Sequence, residues 1–270
     1  MNENPPVAPS HWRVDRTEGL SRGLVFAWTS GASQIGEMGA HAQDLVSGSV
    51  GSTGTTAADA SFGGHYYLSG TLTAYRGINF GILRRLQLGS GFTIMALAKV
   101  LSNSDYGALI STRHGVDGWE LMHNSGQLHV RLGDGAALNV VTDFVDYSGS
   151  WHTVIGTHEA SVSSKLYVDG NQVASGSVGS VAYGGTHNVC VGNNGVPNES
   201  GHVYLACVYM WSRVLAASEI RAMHTDPYRV LGPSKVLGAA LHHASFPIDP
   251  YGCAELTRPS DTCAITASNC

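Results

Sequence analysis

The segment Lys165-Leu-Tyr-Val-Asp-Gly-Asn-Gln-Val-Ala174 constrains the fold more than any other part of the sequence. It contains two short apolar runs separated by Asp169-Gly170, a pair that accepts the positive φ angles of a two-residue type I′ turn. The twist of that turn matches the twist of antiparallel strands, so the flanking runs can pair without splaying. The segment therefore predicts an antiparallel β-hairpin.

Further short apolar runs, separated by Gly, Asn and Ser, predict more strands of the same kind. In the clearest run, Leu128, Val130 and Leu132 share one face while polar side chains occupy the other. Asn124-Ser-Gly126 precedes this run and predicts a second hairpin. The other predicted strands are 23–28, 92–100, 106–112, 118–122, 151–157, 187–192 and 202–211. The last of these is apolar on both faces, which is typical of a central strand buried on both sides.

A single segment, residues 216–224, favours a helix. Asp226-Pro227 ends it, because the residue before a proline is disfavoured in the α region. So short a helix depends on tertiary packing, which we expect through Ile220 and Met223. The short strands, the 34 glycines and the one late helix together predict an all-β protein, a two-sheet antiparallel sandwich of the jelly-roll type.

Charge and hydropathy exclude several classes of function. Charged residues are only 13% of the chain, against about 25% in ordinary soluble domains, so the surface is either small and polar or covered by other proteins. The net charge is −5 and the arginines are dispersed apart from Arg84-Arg85, which argues against nucleic acid as a partner. No apolar run approaches the roughly 20 residues that span a bilayer. The first residues contain no signal peptide. We therefore expect that the protein does not insert into a membrane and that it assembles in a cytoplasm.

The five cysteines fall into two groups. Cys190 and Cys207 lie in apolar, strand-like runs and are predicted to be buried. Cys253, Cys263 and Cys270 crowd the end of the chain, where disulfides would form only in an oxidising medium, and the sequence leaves that open. Their spacing fits no zinc-site pattern.

The composition divides the chain into an N-terminal arm (1–18), a β-domain (19–231) and a C-terminal extension with three cysteines (232–270). Both ends carry little net charge and contain large apolar side chains, unlike a solvated tail. We therefore expect them to dock on neighbouring subunits as assembly arms. The residues proposed for this role are Trp12, Leu237, Leu241, Phe246, Ile248 and Tyr251.

The run Trp151-His-Thr-Val-Ile-Gly-Thr-His158, followed by the 165–174 hairpin, resembles the laminin-G-like (concanavalin-A-like) domains, which carry a W-H-x-V…L-Y-V-D-G-x-x-V-A pattern. Residues 191–194 with the 202–211 strand are similar to the family's next element, and residues 213–220 are similar to its closing R-x-L-S-x-x-E-I helix. Residues 20–28 and 225–231 resemble phage-encoded members. The resemblance covers about residues 20–231 and implies a two-sheet jelly roll that binds glycans or proteins.

Two positions depart from the family pattern. Ala206 stands where many members have an acidic residue, which argues against a calcium site that uses this carboxylate. Ala216 replaces the usual Ser at the helix start, which removes a capping acceptor at a cost of about 1 kcal/mol. Glu219 still favours the helix N-terminus through the dipole.

Catalysis and metal binding find little support in the sequence. Related sandwiches include glycoside hydrolases, whose chemistry uses paired carboxylates, but no two of the eight glutamates lie within five residues of each other. Glu120 is expected to be a solvent-facing strand residue. Among the 13 histidines no metal-binding spacing occurs; His129, His152 and His158 could share a sheet face, but a scattered polar surface is favoured. We therefore predict no enzyme, no metal and no cofactor.

A glycan site on such a sandwich would combine an aromatic platform with Asp and Asn hydrogen bonds in the loops at a sheet edge. The alternative for these residues is an ordinary role in turns. The candidates are Asp117, Trp119, Asn193, Asn194 and Asn198.

Three hypotheses of function follow, in this order. The first is a non-enzymatic structural protein of a bacteriophage virion: a decoration, head-fibre or tail-associated component displayed on the particle surface. Its partners would be other virion proteins of the capsid or tail, and itself as a homo-oligomer, with a trimer as one candidate state. The second is a carbohydrate-binding adhesin module that attaches to a host-surface glycan. The third is a polysaccharide-degrading enzyme.

Overall fold

The computed structural model describes residues 12–29, 49–50, 66–68, 78–101, 106–185, 187–192 and 203–233, with the backbone alone at 12–13, 49–50, 66–68, 78–79 and 233. The chain divides into two units, residues 1–233 and 234–270, and all described residues belong to the first. Among the described residues, no helix has the length and apolarity needed to cross a membrane.

Short strands dominate the described chain. Short 3-10 turns lie at Gly19–Ser21 and Arg84–Leu86, and the α-helix α1 spans Ala217–Thr225. The strands are β1 (Trp12–Val14), β2 (Leu24–Thr29), β3 (Ser49–Val50), β4 (Tyr66–Leu68), β5 (Ile78–Asn79), β6 (Gly91–Val100), β7 (Tyr106–Ser111), β8 (Asp117–Asn124), β9 (Gln127–Asp134), β10 (Leu138–Thr142), β11 (Trp151–Glu159), β12 (Ser163–Val168), β13 (Asn171–Gly176), β14 (Cys190–Val191), β15 (Val203–Trp211) and β16 (Leu231–Pro233).

These strands form two large antiparallel sheets, which confirms the predicted jelly-roll sandwich. Sheet I has the strand order β10-β9-β8-β7-β14-β5-β3. Sheet II has the order β13-β12-β11-β6-β15-β2, and β4 also pairs with β15. A separate ladder joins β1 to β16, with Trp12 opposite Pro233, so this part of the predicted N-terminal arm pairs with the end of the domain.

The main core lies between the two sheets. Leu128, Val130 and Leu132 point into it, as their alternation predicted. At Gly156 in β11 the sheets approach closely, because a Cβ there would lie 2.6 Å from Val130 Cγ2 and 3.3 Å from Ile94 Cγ1. Other buried members of this core are Phe26, Phe92, Trp119, Leu121, Val154, Leu166, Val208 and Met210.

The outer face of sheet II is covered by a second apolar cluster that includes α1. Ile220 and Met223 are fully buried there, as predicted, and pack in the same cluster as Tyr209 and Trp211 of β15. Trp211 Nε1 also donates a 2.7 Å hydrogen bond to the Leu20 carbonyl. Strand β15 is therefore buried on both faces, which confirms its prediction as a central strand.

Glu219 supplies one half of a capping box at the start of α1. Ala216 has no side-chain oxygen, and Glu219 Oε2 instead accepts a 2.8 Å hydrogen bond from the Ala216 N–H. The Arg213 guanidinium donates two further hydrogen bonds, of 2.8 and 2.7 Å, to the same carboxylate. These contacts hold the pKa of Glu219 below its usual value, chiefly through Arg213.

Both predicted hairpin turns are confirmed by their backbone angles. Asp169 and Gly170 have φ of +51° and +78°, and Ser125 and Gly126 have φ of +53° and +79°. Positive φ at both central residues is the mark of a type I′ turn. Cys190 and Cys207 are buried as expected, and burial raises the pKa of each thiol to about 12.

The turn at Asp169 is bound to β11 and to the end of α1 through its carboxylate. Oδ2 lies 2.8 Å from His152 Nδ1, and Oδ1 accepts a 3.0 Å hydrogen bond from the Thr153 N–H. Thr153 Oγ1 lies 2.7 Å from His224 Nδ1. Burial alone would raise the pKa of Asp169, but the hydrogen bond and charge of His152, with Thr153 and His224, outweigh it and lower that pKa.

The close approach at Gly156 predicts a steric cost. We expect Gly156→Ala to lower the free energy of unfolding by about 1–3 kcal/mol, because the added methyl overlaps Val130 between two rigid sheets. The matched control is Gly179→Ala, since a Cβ at Gly179 meets nothing within 4 Å. Urea unfolding of both variants measures the difference, and equal losses in the two would contradict this packing.

The lowered pKa of Asp169 predicts a pH dependence of stability. A carboxylate whose pKa is lowered by folding stabilises above its unfolded value of about 3.9, and this contribution is lost as the pH falls through the lower folded value. We expect Asp169→Asn, which keeps the turn, to cost about 1–2 kcal/mol near pH 6, and the cost to shrink below about pH 4. Thermal unfolding from pH 3 to pH 7 measures this cost. The control is Asp146→Asn, where Oδ1 accepts the Ser148 N–H of the next turn. A cost of Asp169→Asn that does not change with pH would contradict the interpretation.

Candidate functional site

One end of the sandwich is formed by the loops between β7 and β8 and between β9 and β10, together with residues 181–187. The backbone holds these pieces together: the Gly118 N–H donates to the Ala182 carbonyl, and the Ala182 N–H donates to the Gly133 carbonyl, both at 2.9 Å. We call this site the Asp117 corner and define it by His114, Asp117, Tyr183, Gly184 and His187.

Glycine makes the close approach of these segments possible. Gly118 has φ of +80°, and a Cβ there would lie 2.5 Å from the Thr112 carbonyl oxygen. A Cβ on Gly133 would overlap the Val116 carbonyl. Any other residue at these two positions would force the loops apart.

The Asp117 carboxylate is fixed at this corner. Its Oδ2 accepts a 2.9 Å hydrogen bond from the Gly184 N–H, and a Cβ on Gly184 would lie 2.7 Å from the same oxygen. No described residue donates a hydrogen bond to Oδ1. The half-buried carboxylate therefore has one oxygen held by the backbone and a second that can accept from a ligand.

Three aromatic rings meet at the same corner. His187 is buried and donates from Nδ1 to the Thr112 carbonyl at 2.8 Å, so the proton is on Nδ1. The rings of Tyr183 and His114 pack edge-on against His187, with centroids 5.1 and 5.9 Å away. The Tyr183 hydroxyl donates to the Leu88 carbonyl at 3.1 Å, and burial raises its pKa. The Tyr183 ring is thereby fixed and half-buried, while the His114 ring is exposed.

The structure sorts the predicted glycan residues into three outcomes. Asp117 lies at the corner. Trp119 lies on the same face of β8 but further into the sandwich, where it is fully buried and donates from Nε1 to the Leu86 carbonyl at 3.1 Å. The prediction that Trp119 is an aromatic platform is therefore wrong. The remaining three, Asn193, Asn194 and Asn198, lie outside the described residues, as do the apolar residues proposed for the C-terminal arm.

Sequence reasoning missed the rings of the corner. Tyr183 and His187 come from Val-Ala-Tyr-Gly-Gly-Thr-His187, a glycine-rich segment without strand periodicity. Aromatic residues within such a segment were the available signal. Their partner, Asp117, is distant in sequence, so no local pattern joined them.

Glu120 is not solvent-facing, and that prediction is wrong. Its side chain is fully buried on the outer face of sheet I, with Oε2 at 3.2 Å from Arg113 Nε and 3.8 Å from Arg131 Nη1. Two guanidiniums therefore lie within 4 Å of this carboxylate, whereas glycoside hydrolysis pairs a carboxylate with a second carboxylate.

The three histidines that could have shared a sheet face do not all share one. His129 belongs to β9 of sheet I, whereas His152 and His158 belong to β11 of sheet II. His158 is buried and packs against Phe92, with ring centroids 5.1 Å apart. Within the described part of the chain, no group of three or more His, Cys, Asp or Glu residues is placed to hold a metal ion.

Comparison with protein families gives one match. Residues 72–221, more than half of the chain, match the laminin-G family model that is described as the "Concanavalin A-like lectin/glucanases superfamily". No curated protein matches the chain significantly.

Several known structures share the fold. The binding domain of Paraclostridial Mosquitocidal Protein 1 is 17% identical with a TM-score of 0.59, over 77% of this chain and 53% of that one. The receptor binding domain of botulinum neurotoxin C/D mosaic serotype is 13% identical with a TM-score of 0.56, over 76% and 51%. This chain thus matches about half the length of these proteins, and at such identities the likeness shows the fold alone.

Proposed function

The chain belongs to the concanavalin A-like lectin/glucanase superfamily, and from this premise we propose that it is a non-catalytic carbohydrate-binding module whose ligand docks at the Asp117 corner. The observation that carries the proposal is the geometry of Asp117. One carboxylate oxygen is bound by the Gly184 N–H, the other lacks a described donor, and the rings of Tyr183 and His114 belong to the same corner, where both pack against His187.

This combination suits a sugar better than other small ligands. A pyranose presents hydroxyl groups that donate hydrogen bonds and C–H faces that pack on aromatic rings. Sites of this kind pair apolar contact area with a few fixed polar groups that set orientation. The corner provides both on loops that the rigid sheets position.

Two further observations support binding rather than catalysis. Structures of similar fold are described as the binding domain or receptor binding domain of toxins, so this scaffold serves recognition in other proteins. In this chain the buried Glu120 is engaged by Arg113 and Arg131. A carboxylate in that position is not available to a glycosidic oxygen.

We also propose a setting, the surface of a bacteriophage particle, where the ligand would be a glycan of the bacterial host. The support is the resemblance of residues 20–28 and 225–231 to phage-encoded members and the low content of charged residues, 13%. Docking on other virion proteins through the terminal segments stays a prediction. Electron microscopy of particles labelled with an antibody against the domain tests the proposed location on the particle surface. An absence of label on intact particles counts against this location.

The glycan site is tested with the full-length protein on an array of bacterial surface polysaccharides, followed by calorimetry with the best ligand. We expect Asp117→Asn to weaken binding by about tenfold or more, because a hydrogen bond to a charged acceptor is lost. We expect His114→Ala to weaken it as well, with no change in stability, since this ring is exposed.

The matched control is Asp146→Asn. Asp146 also accepts a backbone hydrogen bond of 2.9 Å, from the Ser148 N–H, but its loop is bound to Gly126 at the opposite end of β8. The Asp146→Asn variant should bind the glycan with the affinity of the wild type. Equal affinities in all four proteins, or no glycan bound by the wild type, would contradict the proposal.

A further inference from the structure

Strand β10 is the last strand of sheet I, with β9 on one side. The Asp134 N–H donates to the Ala137 carbonyl across the turn, and in an antiparallel pair such bonded positions recur at every second residue. Asn139 and Val141 therefore bond to β9. The N–H and C=O groups of Leu138, Val140 and Thr142 point to the other side of the strand, the edge of the sheet.

This edge lacks the features that usually protect an edge strand. Natural sheets protect their edges with lysine, proline or a β-bulge. The sequence Leu138-Asn-Val-Val-Thr142 contains no charged residue and no proline, and its register with β9 is continuous.

Exposed apolar side chains continue from the strand into the loop that follows it. Val140 is 46% exposed, Phe144 78% and Val145 51%. The other large exposed apolar side chains of the described chain, Ile82, Val116, Val162 and Val214, belong to separate segments. We call Val140, Phe144 and Val145 the β10 patch.

The loop that carries Phe144 is fixed at several points. The Tyr147 N–H donates to the Gly126 carbonyl at 2.9 Å, and the Gly149 N–H donates to the Val100 carbonyl at 2.7 Å. The Tyr147 hydroxyl donates to Asp143 Oδ2 at 2.6 Å. The hydrogen-bonded loop therefore fixes Phe144 in a solvent-exposed position. A prearranged, exposed aromatic side chain is typical of the anchor of an interface, because little entropy is lost on binding.

We propose that the β10 patch is a self-association surface, on which the edge of β10 pairs antiparallel with the same edge of a second copy of this chain. A twofold axis at Val140 sets Val140 opposite its equivalent and Leu138 opposite Thr142. The paired segment carries no charge, so the symmetric pairing brings no like charges opposite each other.

The self-association has two consequences for the molecule. Sheet I becomes continuous across both copies, and the apolar side chains of the β10 patch leave water at the junction. The strand spans only Leu138–Thr142, so the contact is small and the dimer depends on concentration. The Asp117 carboxylate lies on β8, two strands inward from β10, and remains accessible, so the dimer presents two corners at once.

Analytical ultracentrifugation of the full-length protein over a wide range of concentration tests the proposal. We expect the mass of the wild type to rise from monomer to dimer. Val140→Lys places a charge at an exposed edge position and should keep the protein monomeric throughout. Phe144→Ser should raise the dissociation constant at least about tenfold.

The matched control is Val162→Lys, because Val162 is 63% exposed but lies in the loop between β11 and β12. It should dimerise like the wild type. Hydrogen exchange adds a second readout, since the amides of Leu138, Val140 and Thr142 should gain protection as the concentration rises. A wild type that stays monomeric overturns the proposal, and so does an oligomer of any size that Val140→Lys leaves intact. Glycan binding by the monomeric variant separates this result from the function of the Asp117 corner.

Discussion

Strand β15 supplies side chains to two separate cores, and both layers of packing depend on it. Val208 and Met210 point between the sheets, while Tyr209 and Trp211 point outward under α1. A strand in this position has no face in contact with water, so each backbone group needs a partner within the protein. β6 provides these partners on one side, and β4 and β2 provide them on the other. Sheet II is therefore the middle of three layers. The helix packs on its outer face because a helix this short is stable only when its apolar side chains are buried against another element.

Local signals in the sequence were sufficient for much of this fold. The type I′ turn at Asp169-Gly170 follows from what two adjacent residues can adopt, and the burial of Ile220 and Met223 follows from spacing within one helix. Failures came where the environment of a residue is set by distant chain. Trp119 is predicted as the aromatic residue of a glycan site at a sheet edge, yet strand β8 carries it into the core. Glu120 lies on the outer face of sheet I, as the alternation of its strand predicts. That face is buried at this point, and the alternation of a single strand does not indicate whether a face is buried.

The Asp117 corner illustrates the same limit at the level of a site. Its carboxylate comes from the start of β8, and its rings come from the loop before β8 and from a segment after β13. These pieces meet because glycine removes the side chains that would hold them apart. A single sequence shows the glycines and the aromatic residues, but it does not show that they meet. Asp117 was the predictable part of the site, because the capacity of a carboxylate to hydrogen-bond a sugar is evident from the residue type alone.

The ladder between β1 and β16 has a mechanical consequence. Trp12 lies opposite Pro233 at one end of the ladder, so the first and last described residues of the domain are neighbours. A force that pulls these two ends apart acts across the ladder and opens its hydrogen bonds one after another, which takes far less force than shearing them all together. The ladder would therefore yield first and extend the linkage by a few residues, while the strands of both sheets keep their pairing.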